Sequence, residues 1–323
     1  MDTSEPALER AARPPILGYP SLMLPRAPEI PLIRFGTSSF SSKDWVGPFY
    51  PEGTPAGQFL RVYASRYDTV EIDSTYYAVP SRPTVEGWAE KTPPGFLIAA
   101  KFPRDIVHGG KDREPDPGRV LDPDLTYGIR DRFLETLRIL GPRLGPLVIQ
   151  FPYFRRTAFP SPAPFFERLD RFLGDLPGGF SYAVEVRNRD WMNADLGGVC
   201  AKHGAALVLV DQAWMPHGDE VEKRMDPVSA DFAYVRLLGD RQAIEAVTTT
   251  WDREVIDQGE RLDRWAKVLA RLLTREVPTV VYVNNHYAGH APATVERLRE
   301  RFRKAAEDLG LDPRKGLPRP SAN

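Results

Sequence analysis

The sequence predicts a single-domain (β/α)₈ barrel of the TIM type, and two features of its apolar pattern carry that prediction. Eight short apolar segments rich in Val, Ile and Phe recur along the chain, and segments with helical spacing lie between several of them. Nearly continuous apolar runs are typical of strands buried on both faces, as a parallel sheet requires. Repeated strand-then-helix units favour a closed barrel, with an open doubly wound sheet as the alternative.

The predicted strands and helices follow one another in a regular order. The strands are 33–38, 69–74, 96–102, 146–151, 182–187, 206–211, 232–237 and 279–284. Apolar residues three and four positions apart, typical of an amphipathic helix, mark 58–66, 130–140, 164–173, 261–273 and 294–306. The connections 105–126 and 240–259 exceed ordinary loop lengths, so we expect them to fold over a site.

Proline-rich segments flank the predicted barrel. Prolines interrupt any helical period in 1–31, and they return in 311–323 as Pro313, Pro318 and Pro320. Proline fixes φ and removes a backbone donor, which favours extended chain. The predicted organisation is therefore a tail over 1–31, a barrel over 32–310 and a second tail over 311–323.

The composition of the chain limits which kinds of molecule the protein is expected to bind. The 323 residues carry a net charge of −1, which gives no overall basic field for nucleic acid but leaves phosphate-bearing small molecules open. A single cysteine, Cys200, excludes an intramolecular disulfide. No apolar run has bilayer length, and the first residues lack a basic region followed by an apolar one. We therefore expect a cytoplasmic protein without a membrane partner, of undefined oligomeric state.

The predicted strands share a polar or charged side chain at the point where each of them ends. In a parallel barrel these ends meet at one face, where such enzymes place their chemistry. Side chains two positions apart on a strand point the same way, which pairs Glu71 with Asp73 and Glu185 with Arg187. We therefore expect one pocket of mixed charge at the C-terminal mouth of the barrel.

Residues of this expected pocket divide into two roles. Carboxylates can act as general acids and bases, and cations, amides, hydroxyls and rings can hold an anionic or sugar-like substrate. The catalytic candidates are Glu71, Asp73, Glu185 and Asp211. The substrate-binding candidates are Thr37, Ser38, Trp45, Tyr76, Lys101, Gln150, Arg187, Arg236, Asn284 and Asn285. For each of them the alternative is a structural role, in pairing within the mouth or in seating a loop.

Metal binding is an alternative that the sequence leaves open. The same carboxylates with His108 could ligate a divalent ion, for which Mg²⁺ or Mn²⁺ suits oxygen ligands better than zinc. Arg187 and Arg236 are expected in the same pocket and neutralise the acids, so no residue is assigned to a metal. His286 and His290 have the spacing of a zinc-protease pair but lie in a predicted loop. Nucleotide-binding and serine-nucleophile motifs are absent from the sequence, so no cofactor is assigned.

Several motifs, taken in order, resemble a known family. They are similar to the successive motifs of the domain-of-unknown-function 72 family, the YecE-like proteins: FGTSSF, YDTVEIDSTYYAVPS, LGPLVIQFP, YAVEVRNRDW, YVRLLG and YVNNHYAGHAP. The similarity runs from about Ile33 to Arg303. This resemblance implies a TIM-type barrel and no established activity. Ser39 stands where the family's first motif often has glycine, so we expect the first turn to sit differently.

The leading functional hypothesis is an enzyme, a hydrolase or an isomerase, that acts on a small polar anionic substrate such as a sugar phosphate or a nucleotide fragment. Glu71 or Asp73 is the expected base, and Lys101, Arg187 and Arg236 are expected to hold negative charge. One alternative is a metal-dependent phosphodiesterase or nuclease. The other is a non-catalytic module that binds nucleic acid or a metabolite.

Overall fold

The computed structural model describes residues 31–110, 112 and 114–316, and these contain a sheet of eight parallel strands. The strands are β1 Ile33–Thr37, β2 Thr69–Ile72, β3 Leu97–Lys101, β4 Leu144–Gln150, β5 Tyr182–Glu185, β6 Ala206–Gln212, β7 Ala233–Gly239 and β8 Thr279–Val283. They pair in the order β1-β8-β7-β6-β5-β4-β3-β2. Consecutive strands lie side by side around the sheet, which confirms the predicted barrel. The predicted tails at 1–31 and 311–323 lie outside the described residues except at 31 and 311–316.

Helices separate the strands along the chain. In the described part they are α1 Phe59–Ala64, α2 Arg82–Glu90, α3 Arg104–Val107, α4 Pro123–Leu137, α5 Ala163–Gly174, α6 Ala194–Lys202, α7 Gly218–Glu222, α8 Arg241–Glu245, α9 Gly259–Thr274 and α10 Ala291–Asp308. The predicted helical segments coincide with α1, α4, α5, α9 and α10. None of the described helices is both long and apolar enough to cross a membrane.

Helix α4 begins earlier than the apolar spacing predicted. Asp122 accepts a hydrogen bond from the backbone N–H of Leu125 at 3.1 Å, and Pro123 occupies the first helical position. This combination of cap and proline is typical of a helix start. The long connection predicted at 105–126 therefore contains the end of α3 and the first turn of α4.

The connection after β7 packs over neighbouring loops. Beyond α8, the Trp251 N–H donates to Asp44 Oδ2 at 3.0 Å, and the Val255 N–H donates to the Ala288 carbonyl at 2.7 Å. The Trp251 ring also meets the His286 ring, with centroids 4.8 Å apart. The segment 240–259 therefore joins the loop after β1 to the loop after β8.

The barrel closes between β1 and β2 through a narrow seam. Ser38 and Glu71 form an isolated parallel bridge there, and the Ser39 N–H donates to the Glu71 carbonyl at 2.8 Å. A Cβ on Gly36 would lie 2.2 Å from the carbonyl oxygen of Thr69. Only glycine allows β1 to approach β2 this closely.

Ser39, at the end of this seam, has a backbone conformation that favours glycine. Its φ is 98°. For a residue with a Cβ, such a strained backbone conformation lowers the stability of the folded state by about 1–3 kcal/mol. The family that this sequence resembles often has glycine at this position. The chain therefore retains a glycine-like turn although serine occupies it.

Replacing Ser39 with glycine is expected to raise the free energy of unfolding by about 1 kcal/mol, because glycine relieves the strain. Urea unfolding measures the change. Ser39→Ala is the matched control, since alanine keeps the Cβ and removes only the hydroxyl. Equal gains from both variants would trace the effect to the hydroxyl and contradict the strain argument.

The strands also determine which side chains reach the inside of the barrel. A separate buried cluster occupies that interior: Ala99, Val148, Ala183, Ala206, Val208, Phe232, Tyr234, Val280 and Tyr282. Alternate residues of a strand point to the same side. The next inward positions toward the C-terminal ends are therefore Lys101, Gln150, Glu185 and Arg236, which place polar groups above an apolar floor.

Candidate active site

The mouth of the barrel holds a chain of alternating charges. Arg236 on β7 lies between two carboxylates, with Nη2 2.7 Å from Glu71 Oε1 and Nη1 2.5 Å from Glu185 Oε2. Arg187, just after β5, places Nη2 2.5 Å from Glu185 Oε1. Lys101, at the end of β3, places Nζ 3.7 Å from Glu71 Oε1. These contacts bring side chains from β2, β3, β5 and β7 into one network.

Neutral side chains complete the hydrogen bonds of this network. The Tyr234 hydroxyl donates to Glu71 Oε2 at 2.6 Å, and Arg236 Nη1 donates to Gln150 Oε1 at 2.8 Å. Gln212, at the end of β6, accepts a hydrogen bond from Arg187. Buried ions are tolerated only when such partners offset the loss of water.

The two glutamates of the network are held ionised. Burial alone would raise the pKa of Glu71, but Arg236, Lys101 and the Tyr234 hydrogen bond outweigh it, so the pKa is lowered. The pKa of Glu185 is lowered in the same way, because Arg187 and Arg236 outweigh its burial. A carboxylate with a lowered pKa is a weak base, so these two groups are better suited to holding cations than to accepting protons.

Asp73 and Lys101 behave differently from the two glutamates. Burial raises the pKa of Asp73 although Lys101 opposes the shift. Burial, and then the charge of Arg236, lowers the pKa of Lys101, although Glu71 and Asp73 oppose that shift. Burial therefore favours the neutral forms of both groups, which is the condition for proton exchange with a ligand.

Two further predicted residues lie at the opening. Tyr76 is half-buried beside Arg104 and Arg187, and its burial raises the pKa of its phenol. Ser38 forms the seam bridge to Glu71. Its Oγ is buried and has no hydrogen-bond partner in the described part of the chain. Both side chains therefore remain substrate-contact candidates.

The structure places Asp211 outside the mouth, contrary to the sequence-based expectation. Its carboxylate pairs with Arg261 on α9 and accepts hydrogen bonds from Trp265 Nε1 at 2.7 Å and from the Tyr287 hydroxyl at 2.8 Å. Val208 faces the barrel interior, and Asp211 lies an odd number of positions further along β6, which places it on the opposite side. Asp211 consequently joins the sheet to the helix layer, and Gln212 takes the inward position.

The asparagines after β8 have structural contacts through their side-chain oxygens, and their contact with a substrate stays a prediction. Asn284 Oδ1 accepts from the backbone N–H of His286 at 3.0 Å. Asn285 Oδ1 accepts from Trp45 Nε1 at 3.2 Å and from the Ala291 N–H at 3.0 Å. These bonds cap a short 3₁₀ turn and the start of α10, which is a common use of asparagine.

Trp45 and Thr37 are held away from the opening. The Trp45 ring is buried against Phe49 and Tyr50, with centroids 5.7 and 6.0 Å away. Thr37 Oγ1 lies 2.9 Å from the Tyr63 hydroxyl on α1 and donates to the Ser39 carbonyl at 2.6 Å. Both therefore seat loops on the barrel, and the expectation that they contact substrate is replaced by this role.

The carboxylates do not form the metal site that the sequence left open. Arg236 separates Glu71 from Glu185, and Asp211 faces α9. Across 31–110, 112 and 114–316, no group of three or more His, Cys, Asp or Glu residues is arranged to hold a metal ion.

Together, the fold and the mouth define a TIM-barrel protein with a network of charged side chains at the C-terminal ends of its strands. The chain belongs to the family described as "Protein of unknown function DUF72", whose profile matches residues 34–321. This match confirms the resemblance found in the sequence.

Relatives of known sequence or structure share this fold over most of their length. The UPF0759 protein YecE of Escherichia coli K12 is 27% identical over 273 residues, which cover 79% of this chain and 89% of YecE. A DUF72 family protein from Thermotoga maritima is 26% identical, with a TM-score of 0.60 over 85% of this chain and 99% of that one. Another, from Enterococcus faecalis, is 20% identical, with a TM-score of 0.60 over 84% and 95%.

Proposed function

We propose that the protein is an enzyme, an isomerase or a hydrolase, that binds a small polar anion in the mouth and transfers a proton to or from it. The environment of Arg187 carries the proposal. Arg187 pairs with Glu185 and keeps 13% of its side chain exposed, whereas Arg236 is 1% exposed between Glu71 and Glu185. The neighbouring carboxyl of Asp73 has a raised pKa, because burial outweighs the charge of Lys101. A guanidinium that remains partly exposed can bind an anionic substrate through paired hydrogen bonds.

The positions of the cations assign them different roles. Arg236 is fully buried between its two glutamates, which raise its pKa. The side chains of Lys101 and Arg187 are 12% and 13% exposed, against 1% for Arg236. Arg187 is therefore the proposed contact for the anion, and Arg236 holds the glutamates in place.

Asp73 is the proposed general acid and base. Its raised pKa brings it closer to the range in which a carboxyl both accepts and donates protons. Glu71 is less suitable, because Arg236 and Tyr234 already occupy its two oxygens. Of the two bases that the sequence suggested, the geometry therefore favours Asp73.

Exposed rings around the mouth support a substrate with a flat face. Tyr77, Tyr153 and Trp214 follow β2, β4 and β6 and are largely exposed. Trp214 is tied to the pocket, because its Nε1 donates to the Arg187 carbonyl at 3.2 Å. Such rings stack on sugars or nucleobases, so a sugar phosphate or a nucleotide fragment is the proposed substrate class.

Other proposed roles have less support. A metal-dependent phosphodiesterase needs carboxylates that share one ion, and Arg236 separates Glu71 from Glu185. A nucleic-acid binding module needs a positive field, and the net charge is −1. A cytoplasmic location also remains a proposal, consistent with Cys200 as a buried free thiol.

Inorganic phosphate and glucose 6-phosphate are expected to stabilise the protein, by about 2.7 kcal/mol at a hundred times Kd, whereas glucose has a smaller effect. A thermal-shift titration measures this difference. Arg187→Met is expected to abolish it. Arg82→Met is the matched control, because Arg82 is 73% exposed and pairs with Glu86 on the helix surface. Equal stabilisation by glucose, or a full phosphate effect in Arg187→Met, would contradict the anion site.

Proton transfer is tested separately from binding. The ligands that stabilise the protein are incubated with it in D₂O, and loss of their C–H signals is followed by NMR. We expect Asp73→Asn to retain binding and to lose exchange by roughly 10²-fold or more. Binding without exchange or turnover in the unmodified protein would support a non-catalytic module instead.

A further inference from the structure

Lys101 is a largely buried lysine whose ion pair with a carboxylate is long. Its Nζ lies 3.7 Å from Glu71 Oε1, and that oxygen already accepts a hydrogen bond from Arg236 at 2.7 Å. Lys202 offers a comparison, since its Nζ lies 2.8 and 2.7 Å from the two carboxylate oxygens of Asp170. The ammonium form of Lys101 therefore gains less from its neighbours than that of an ordinary paired lysine.

The surroundings of Lys101 favour a free amine. Burial and the neighbouring guanidinium of Arg236 lower the pKa of Lys101. Desolvation and an adjacent cation are the two means by which proteins turn a lysine into a nucleophile.

The backbone of Lys101 is fixed at the end of its strand. The Lys101 N–H donates to Thr75 Oγ1 at 2.9 Å. The Thr75 hydroxyl in turn donates to the Lys101 carbonyl oxygen at 2.9 Å. The Lys101 side chain is 12% exposed. A ligand in the mouth therefore meets an amine carried on a rigid element, next to Asp73.

We propose that Lys101 is a nucleophile that forms an imine with the carbonyl carbon of an aldehyde, ketone or 2-oxo acid. The inference rests on the proposed function, because Arg187 would hold the anionic group of the same molecule. The Lys101 nitrogen forms a bond to the carbonyl carbon, and the carbon–oxygen bond breaks. The oxygen leaves as water with both amine protons, and Asp73 gives one proton to the imine nitrogen and becomes a carboxylate. No oxidation or reduction occurs.

Borohydride trapping of the full chain tests the inference, with dihydroxyacetone phosphate and pyruvate as probes. Reduction converts the imine into a stable secondary amine, and peptide mass spectrometry locates it. We expect saturable labelling of Lys101 and not of Lys202. Lys101→Arg removes the nucleophilic amine, so labelling falls at least tenfold. Asp73→Asn is expected to slow labelling by roughly 10²-fold.

The outcomes separate this inference from the proposed function. Phosphate stabilisation without an adduct, or equal labelling of Lys101 and Lys202, would overturn the imine and leave the anion site standing. An adduct confined to Lys101 without any phosphate effect would support the imine and count against the anion site. An adduct that survives in Lys101→Arg would assign the chemistry to another lysine and overturn the inference.

Discussion

Replacement of Arg236 by methionine is expected to lower the free energy of unfolding near neutral pH by about 3–5 kcal/mol. Methionine fills much of the same space but carries no charge. Glu71 and Glu185 then face each other in the barrel without the cation that now lies 2.7 and 2.5 Å from them. Urea unfolding measures the loss. Arg82→Met, on the exposed pair with Glu86, is the control and is expected to cost less than about 1 kcal/mol.

The same variant is expected to reverse the sign of the pH dependence that Glu71 contributes. In the native protein the pKa values of Glu71 and Glu185 are lowered. They therefore contribute stability above their unfolded pKa, which is lost as pH falls through the folded value. Without Arg236, burial dominates at Glu71 and its pKa rises, whereas Arg187 still opposes burial at Glu185. The contribution of Glu71 is then present at low pH and is lost as pH increases.

Glu71→Gln, added to Arg236→Met, is expected to restore part of the lost stability, because Glu71 is then left with Lys101 at 3.7 Å whereas Glu185 keeps Arg187 at 2.5 Å. A single variant as stable as the native protein near neutral pH would show that Arg236 does not compensate these glutamates. A double variant no more stable than Arg236→Met would show the same.

Asp211→Ala is expected to have a comparable cost, about 3–5 kcal/mol, without affecting the mouth. The change leaves Arg261, Trp265 and Tyr287 without their shared acceptor. Urea unfolding and a phosphate titration are compared on the same variant. Asp73→Asn is the counterpart, expected to lose little stability, because burial already favours the neutral form of Asp73.

Loss of phosphate binding in Asp211→Ala, with the folded state intact, would return Asp211 to the mouth. That result would contradict its position against α9 in the structure. Asp211→Asn, which keeps an acceptor and removes the charge, is expected to fall between the native protein and the alanine variant.

The barrel was predictable from the sequence because its pattern is local. Strands buried on both faces are apolar throughout, and their polar ends mark the C-terminal face. Alternation from Val208, which faces inward, makes Gln212 rather than Asp211 the inward residue at the end of β6. The capping role of Asn284 follows similarly from its place directly before a helical turn.

Contacts across the barrel were not predictable from the pattern. Tyr234 reaches Glu71 from a strand 163 residues away in sequence, and β7 is not a neighbour of β2 in the sheet. Nothing local marks Tyr234 as a hydrogen-bond donor rather than a packing residue. Trp45 is the converse case, because a ring in a loop after a strand looks the same whether it stacks on a ligand or seats the loop.

The narrow join between β1 and β2 links the shape of the molecule to its chemistry. The peptide carbonyl that completes the circle belongs to Glu71, and the side chain of that residue faces Arg236 and Lys101. Any loosening of the cylinder at this point also displaces the carboxylate. The backbone of Glu71 thus closes the barrel while its side chain holds Arg236. A change that opens the barrel wall at Glu71 is therefore expected to disturb the charged network as well.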